Sequence, residues 1–403
     1  MKKRRYWLWS GAAMLCAALL AFAMGDRSVL RHHAAPQALT PEALIAQSLL
    51  EISQNHLDAA LDTIDNLLSI NPNFHLAHLI KGDLLLARAR PLSHLGNADA
   101  APAERIAGLR DEARIRLLRY QQQPPAGQVP KYLLQLPTEQ KYALVADTSI
   151  STLYLFENFN GSAHYVTDYY ISSGKAGSDK LKEGDQKTPL GVYFVVDNLP
   201  KSKLSDFYGS GAYPLNYPNE WDRRHGRNGH GIWLHGTPTN TYSRPPRASN
   251  GCVVLTNQDM EAVGVKLQIG TTPVIIADGI EWADAQNIGA LRDALAERIE
   301  AWRRDWESRD VDRYLRHYAP TFSAGGQNLA SWASQKRQVN AGKSWIKVKL
   351  DNLGMLLYPG KDNLAVVTFD QDYSSNNLSN RMKKRQYWIL ENSQWKIAYE
   401  GAA

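Results

Sequence analysis

The sequence predicts a multidomain protein: an N-terminal α-helical module, a central mainly-β domain and a C-terminal α+β domain with a cone-like sheet. The 403 residues exceed the length of one ordinary domain. Apolar residues recur at helical spacing in the first third, whereas short apolar runs between turn residues fill the middle. An amphipathic helix followed by strand-like runs makes up the last third. With 44% hydrophobic and 21% charged residues, the composition excludes wholesale disorder.

Four consecutive basic residues at positions 2–5 supply most of the formal net charge of +6. The remainder is nearly neutral and gives no basic footprint, so we expect no nucleic-acid partner. Residues 6–25 are uncharged and mostly apolar, so residues 1–25 are predicted to be a signal peptide or a membrane anchor. Basic residues on the leading side keep that end in the cytoplasm. The protein is therefore expected to be exported, either released by cleavage or anchored in the inner membrane.

The chain has two cysteines in very different contexts. Cys16 lies in the apolar N-terminal segment, which leaves Cys252 as the lone cysteine of the exported body. Such a pair makes neither a disulfide framework nor a cysteine-rich zinc site. A lone thiol is a liability in an oxidising compartment, and chemistry is one explanation for keeping it.

The helical module is predicted over residues 38–123. Three apolar stripes at helical spacing are separated by turn signals at 54–55 and 71–73, and a basic segment, 103–123, predicts a fourth helix. Part of this pattern resembles one or two tetratricopeptide helix pairs, and a plain helical bundle explains it equally well. Both are more typical of docking or dimerisation than of catalysis, so we expect a protein partner or a second copy here.

Prolines and a glycine within 124–137 mark a linker, and the central domain is predicted over 138–281. Its strand-like runs alternate with turn residues, which favours a β-sandwich or barrel-like fold. These runs are 142–146, 152–156, 165–171, 191–196, 231–235, 252–255 and 272–276.

The C-terminal domain is predicted over 288–403, beginning with an amphipathic helix at 291–306 and a short helix at 311–318. Helices followed by a curved antiparallel sheet are one architecture that fits this order. The strand-like runs are 346–350, 355–358, 365–370, 387–391 and 395–399.

Two neighbouring segments of the central domain carry the candidate chemistry. His235 ends one predicted strand, and a Ser-Asn-Gly-Cys turn that finishes at Cys252 begins the next. If the strands are neighbours, the Cys252 thiol and the His235 ring come within hydrogen-bond reach and form a thiolate–imidazolium nucleophile. Gly251 lets backbone N–H groups approach a reacting carbonyl, and the Gly236 carbonyl is a candidate to orient the imidazole.

These residues resemble a known catalytic motif. His235-Gly236-Thr237, a loop, and then Ser-x-Gly-Cys at 249–252 resemble the motif of the L,D-transpeptidase (YkuD) family. Upstream, segments 171–174 and 184–193 together resemble that family's strand and its Thr-Pro-x-Gly-x-Tyr segment. The C-terminal domain looks like a nuclear-transport-factor-2-like (NTF2-like) domain. The whole layout is similar to that of the peptidoglycan L,D-carboxypeptidases that set the shape of helical bacteria.

The resemblance implies roles for four residues. Cys252 would be the nucleophile and His235 the general base, with the Gly236 carbonyl orienting the imidazole. The amides of Gly251 and Cys252 would form the oxyanion hole. It also implies a periplasmic location, peptidoglycan stem peptides as the partner, and no cofactor.

The chain departs from the family pattern at two positions. Asn250 stands where many members have histidine, and Val254 where they have arginine. We therefore expect Arg244 or Arg247 to supply the contact with a substrate carboxylate. The other predicted substrate contacts are Ser249, Asn250, Tyr217, Trp233 and Tyr242.

Other readings of these residues are weaker. His225, His230 and His235 recur at five-residue spacing, but they form no compact ligand motif and adjoin loop glycines, so no metal is expected. A papain-like protease is disfavoured because its cysteine precedes its histidine in the chain. A buried structural Cys252 leaves the matched histidine segment unexplained.

The resemblance implies attack of Cys252 on the bond between diaminopimelate and the terminal D-alanine of a tetrapeptide stem. Aminolysis of the resulting thioester would form crosslinks or attach amine acceptors, which is the predicted transpeptidase function. Hydrolysis would make the protein an L,D-carboxypeptidase that controls cell shape. A third hypothesis is a non-catalytic envelope scaffold.

Overall fold

The structure, a computed structural model, describes residues 40–98, 100–360 and 363–403. The predicted signal peptide or anchor at 1–25 lies outside these residues. Within the described ranges, no helix combines the length and the apolar character needed to cross a bilayer.

The first part of the described chain is a four-helix module. Thr40 caps its first helix by accepting a hydrogen bond from the Ala43 amide at 3.2 Å, and Pro41 occupies the first turn, where no amide is needed. One buried apolar cluster, with Ile64 and Ile80 at its centre, joins the helices. A helical module was predicted here, whereas its likeness to tetratricopeptide repeats stays a prediction. The helices are α1 (Pro41–Ser53), α2 (Leu57–Ile70), α3 (His75–Ala87) and α4 (Ala103–Gln121).

The central domain is built from short strands, as its turn-punctuated sequence predicts. A five-stranded sheet has the order β5-β4-β3-β12-β7, and a smaller sheet has the order β11-β9-β8. Two helices, α5 (Glu220–Arg224) and α6 (Asn257–Gly264), lie in its connections. The strands are β1 (Gln128–Pro130), β2 (Leu133–Gln135), β3 (Tyr142–Asp147), β4 (Thr152–Phe159), β5 (Ser162–Tyr170), β6 (Ser173–Gly174), β7 (Gly191–Phe194), β8 (Ala212–Pro214), β9 (Trp233–His235), β10 (Arg247–Ser249), β11 (Val253–Val254), β12 (Pro273–Ala277) and β13 (Trp282–Asp284).

The five-stranded sheet is buried on both faces. Along β3, Leu144 and Ala146 pack into a core shared with the smaller sheet, as in a sandwich. The alternate residues Ala143 and Val145 pack on the other face into a second core, which the C-terminal domain completes. Because strand side chains alternate between faces, one strand contributes to both cores.

The C-terminal domain is α+β, as predicted, and its long antiparallel strands form a sheet of order β19-β18-β17-β16-β2. Trp302 of α7 packs on one face of this sheet, in the same buried cluster as Phe369 and Trp388. The opposite face, which includes Val366 and Tyr387, packs on the central domain. The elements are α7 (Ala285–Glu307), α8 (Val311–Leu315), β14 (Ser323–Ala324), β15 (Gln327–Asn328), α9 (Leu329–Ala341), β16 (Ile346–Leu357), β17 (Leu364–Ser375), β18 (Leu378–Glu391) and β19 (Gln394–Ala402).

Two features of this region differ from the sequence prediction. The predicted linker, 124–137, contains β1 and β2, and β2 joins the edge of the C-terminal sheet by pairing with β16. The two strands predicted at 346–350 and 355–358 form one strand with a bulge between Asp351 and Gly354. Asn352 has a positive φ of 52° in the bulge, so the local turn residues bend the strand without ending it.

The shared core predicts a stability effect that spans two domains. Phe156 of β4 is fully buried in the core between the central and C-terminal sheets, whereas Phe159 on the same strand is 64% exposed. Phe156→Ala should lower the free energy of unfolding by about 3–5 kcal/mol. Phe159→Ala, the matched control, should change it by less than about 0.5 kcal/mol.

Urea unfolding measures both variants, with fluorescence and circular dichroism as separate probes. We expect the midpoint of Phe156→Ala to fall for both probes together. A midpoint that moved no further than that of Phe159→Ala would contradict the shared core.

Candidate active site

Parallel pairing of β9 with β11 brings His235 and Cys252 to the same region. The register pairs Val253 with Leu234 and Val254 with His235. Cys252 directly precedes β11, so it lies alongside the start of β9. Its thiol donates a hydrogen bond to the Gly231 carbonyl at 3.3 Å. The two predicted catalytic residues are therefore neighbours across two strands, with the thiol turned to backbone in the resting site.

His235 is held with one ring nitrogen bound and the other unpartnered. Nδ1 lies 2.7 Å from the Gly236 carbonyl oxygen, and since a carbonyl only accepts, Nδ1 carries the proton. Nε2 is buried and has no hydrogen-bond partner in the described part of the chain. Burial lowers the pKa of His235 to about 4, the Gly236 carbonyl opposes that shift, and the Arg244 charge adds to it. The imidazole is thus neutral at physiological pH, with a free basic nitrogen.

Asn257 fixes the backbone that orients this imidazole, and sequence reasoning missed it. Its side-chain oxygen accepts hydrogen bonds from the amides of Ser210 at 2.9 Å and Thr237 at 3.1 Å, and its amide donates to the Thr237 carbonyl at 2.9 Å. That oxygen occupies the space a Cβ at position 236 would need, so only glycine fits there. Asn257 begins α6, with two residues between it and the end of β11, and only the folded contact reveals its role.

The Cys252 thiol is neutral in the resting site. Burial raises its pKa, against the opposing effects of the Trp233 backbone and of the Arg244 and Lys180 charges. The motif predicts a thiolate–imidazolium pair, whereas burial shifts the pKa of each group towards its neutral form. Desolvation explains the difference, because burial disfavours the charged form of both groups.

The turn before Cys252 is fixed by side-chain hydrogen bonds. Gly251 has φ of +126°, and a Cβ there would come within 2.6 Å of the Lys187 carbonyl oxygen. Its amide donates to Ser249 Oγ at 3.0 Å, and that hydroxyl donates to the Cys252 carbonyl at 2.6 Å. Thr188 Oγ1 donates to the Gly251 carbonyl at 3.0 Å. Ser249 is therefore a buried turn residue and not the predicted substrate contact, and it occupies the Gly251 amide that was expected in the oxyanion hole.

The remaining predicted substrate residues fall into two groups. Trp233 and Arg244 lie at the site, whereas Asn250, within the turn, and Arg247, on β10, are exposed. Tyr217 is buried in the central core and donates to the Asn228 carbonyl at 3.0 Å, so its assignment as a substrate contact is wrong.

Tyr242 is also misplaced as a substrate contact. Its ring lies 4.6 Å from that of Phe74, on the side of the loop that faces the helical module.

Two aromatic residues at the site were not predicted. Phe207 and Tyr208 lie in a short 3-10 helix, and their ring centroids are 5.8 Å and 5.2 Å from that of His235. Tyr208 also packs on Trp233 at 4.8 Å. The signal was the long loop between Pro200 and His230, whose length and aromatic content are typical of functional loops.

Comparisons with known proteins agree with this arrangement. Residues 141–276 match the YkuD family, the L,D-transpeptidase catalytic domain, and residues 294–401 match the Cds6 C-terminal NTF2-like domain. The structure of Bd1075 from Bdellovibrio bacteriovorus is 30% identical, with a TM-score of 0.61, and the match covers 68% of this chain and 98% of that one. The chain therefore belongs to the L,D-transpeptidase (YkuD) family, in the form with a C-terminal NTF2-like domain, as its motifs predicted.

Two further relatives extend the comparison. The helical cell shape determining protein Pgp2 from Campylobacter jejuni is 23% identical, with a TM-score of 0.57, over 67% of this chain and 95% of that one, and it shares the fold. The protein named "Putative L,D-transpeptidase YafK" of Escherichia coli K12 is 30% identical over 113 residues, 28% of this chain. The matched region spans 41% of YafK, about two fifths of that curated relative.

The protonation states predict the pH dependence of thiol alkylation. Only the thiolate reacts with iodoacetamide, and burial raises the pKa of Cys252 above its ordinary value of 9.0. The rate of Cys252 alkylation in the free enzyme should therefore rise continuously with pH from about 6 to about 10. His235 is neutral throughout this range, so His235→Ala should leave the shape of the profile unchanged.

Mass spectrometry of the Cys252 peptide gives the rate at each pH. A plateau that began near pH 5 and disappeared in His235→Ala would show a resting thiolate–imidazolium pair and contradict the neutral site.

Proposed function

We propose that this protein is a peptidoglycan-modifying cysteine L,D-transpeptidase of the periplasm. Its substrate is the tetrapeptide stem, and the bond cleaved joins the L-centre of diaminopimelate to the terminal D-alanine. The supporting observation is the unpartnered Nε2 of His235 beside Cys252, on paired strands of a YkuD-family domain.

The first step is acylation. As Cys252 Sγ attacks the scissile carbonyl carbon, its proton passes to His235 Nε2. The resulting tetrahedral oxyanion lies at the turn, where the Cys252 backbone amide is the available donor, since the Gly251 amide already donates to Ser249 Oγ. Collapse breaks the carbon–nitrogen bond, and the imidazolium gives its proton to the departing D-alanine amine. A thioester on Cys252 remains.

Attack on the substrate carbonyl helps to drive this proton transfer. Ionising the neutral Cys252–His235 pair in a buried site costs free energy. The Arg244 charge opposes the imidazolium and favours the thiolate. Coupling the proton transfer to carbon–sulfur bond formation avoids a free ion pair, since negative charge moves at once to the carbonyl oxygen. At neutral pH the site therefore reacts more slowly with an unpositioned electrophile than with a positioned substrate carbonyl.

The second step decides the product. A side-chain amine of another stem attacks the thioester carbon and gives a proton to His235. The carbon–sulfur bond then breaks, Cys252 leaves as the thiol by taking that proton, and the product is a 3–3 crosslink. Water in the same position gives a tripeptide, which is the L,D-carboxypeptidase reaction. The likeness in fold to a protein named for determining helical cell shape favours this second candidate.

Purified muropeptides test the proposal directly. The full chain incubated with disaccharide tetrapeptide should release D-alanine and yield 3–3 crosslinked dimer, read by mass spectrometry. Cys252→Ala should reduce the release at least about 10³-fold, because binding and oxyanion contacts alone remain. Cys16→Ala, which changes the other cysteine, is the matched control and should keep full activity.

Each outcome assigns a function. Tripeptide without crosslinked dimer would replace the transpeptidase proposal by the carboxypeptidase. Release of D-alanine by Cys252→Ala at the wild-type rate would refute the cysteine mechanism. No release by wild type, together with no adduct mass after incubation with a carbapenem, would leave the non-catalytic scaffold.

A further inference from the structure

The loop between β9 and β10, residues 236–246, has one side on the candidate active site and the other on the helical module. Its contacts with the module could not be inferred locally, because the module lies more than a hundred positions earlier in the chain. Arg244 faces the site, and its neighbours on both sides face the module. This alternation makes the loop the physical link between the two parts.

Three residues close to Arg244 in the chain contact the helical module. Ser243 donates a buried hydrogen bond to Glu112 Oε1 at 2.6 Å. The Tyr242 ring packs 4.6 Å from that of Phe74. Pro245 packs on α4 so closely that a Cβ at Gly108 would meet it at 3.1 Å.

Backbone hydrogen bonds fix an earlier part of the same loop. The Tyr242 amide donates to the Asn73 carbonyl at 3.1 Å, and the Asn73 side-chain amide donates to the Thr239 carbonyl at 3.1 Å. Residues 239–245 are therefore held by contacts with α4 and with the turn between α2 and α3. These contacts do not depend on a substrate.

A buried ion cluster stiffens the part of the helical module that contacts the loop. Arg116 of α4 has no exposed side-chain surface, and it pairs with Glu42 and with Glu112 at 2.9 Å. Its guanidinium also lies 3.8 Å from the ring centroid of Tyr170, whose hydroxyl donates to the Arg244 carbonyl at 2.9 Å. The backbone of Arg244 is thus tied to the same cluster that holds Ser243.

The Arg244 side chain is a cation without an anionic partner. Its guanidinium packs 4.6 Å from the Phe207 ring centroid and donates to the Phe207 carbonyl at 3.5 Å. Within the described residues it forms no ion pair; burial lowers its pKa, and the ionised form of Cys252 would oppose that shift. A half-buried arginine of this kind beside a nucleophile is suited to bind a substrate carboxylate.

We propose that the helical module is the positioning element of the active site. Its contacts with residues 239–245 hold Arg244 where the guanidinium binds the carboxylate of the departing residue. The identity of that carboxylate, on the terminal D-alanine, rests on the proposed function. Arg244 would be the specificity-determining residue, and Ser243 and Glu112 would be positioning residues that act through it.

Two substrates separate this role from general stability. With the full chain and a tetrapeptide bearing a free C-terminal carboxylate, Arg244→Gln should raise KM about 10- to 100-fold with little change in kcat, because the contact exists before and during the reaction. Arg244→Lys should recover part of the loss. With the C-terminal amide, which lacks the charge, Arg244→Gln should change KM less than about twofold.

A double-mutant cycle tests the module. Ser243→Ala should raise KM for the free acid several-fold, spare the amide, and have no further effect in an Arg244→Gln background. Lys81→Ala, which breaks an exposed ion pair of the same module, is the matched control and should change neither substrate. An equal loss for both substrates, or a Ser243→Ala effect that persists without Arg244, would overturn the proposal.

A chemical probe keeps the test independent of the proposed function. If wild type cleaves neither substrate, the proposed function fails, and alkylation of Cys252 by iodoacetate relative to iodoacetamide still reports an anion-binding Arg244. This ratio should fall several-fold in both Arg244→Gln and Ser243→Ala and stay unchanged in Lys81→Ala. An unchanged ratio in either of the first two variants would refute the positioning role.

Discussion

The parallel pairing of β9 and β11 is the constraint on which the rest of the site depends. Parallel neighbours cannot be joined by a tight hairpin, and the chain must cross over between His235 and Cys252. In most folds a helix makes such a crossover, whereas here a proline-containing loop does so, with only β10 as regular structure. A loop of this kind has little internal support, which explains why Asn257 pins its start and the helical module holds its middle.

Burial, rather than a preformed ion pair, sets the chemistry of the site. Both Cys252 and His235 are shifted towards their neutral forms, so neither carries the charge that the motif implies. The preorganised elements are the ring orientation at Gly236 and the turn at Gly251, whose positive φ only glycine adopts without strain. Because the resting site is neutral, the free-energy cost of charge separation arises only in the reaction step. There the carbonyl oxygen takes up part of the negative charge.

Much of the fold was predictable because it rests on local patterns: apolar periodicity in the helices, short alternating runs in the strands, and the His-Gly-Thr and Ser-x-Gly-Cys segments. The failures were non-local. Tyr242 looked like a cleft aromatic because its partner, Phe74, lies far earlier in the chain. The segment with β2 looked like a linker because its pairing partner is β16. Ser249 looked like a substrate contact because its hydroxyl is satisfied only within the folded turn.

The sheet that is buried on both faces has a mechanical consequence. One face carries the strands that hold Cys252, and the other is fused to the C-terminal sheet through residues such as Phe156 and Tyr387. Two domains joined by a continuous packed core cannot rotate relative to each other as domains on a flexible linker do, because protein interiors are close-packed and resist shear. The distance between a surface of the C-terminal domain and the Cys252 thiol is therefore fixed. Whatever contacts that surface is held at one constant separation from the nucleophile.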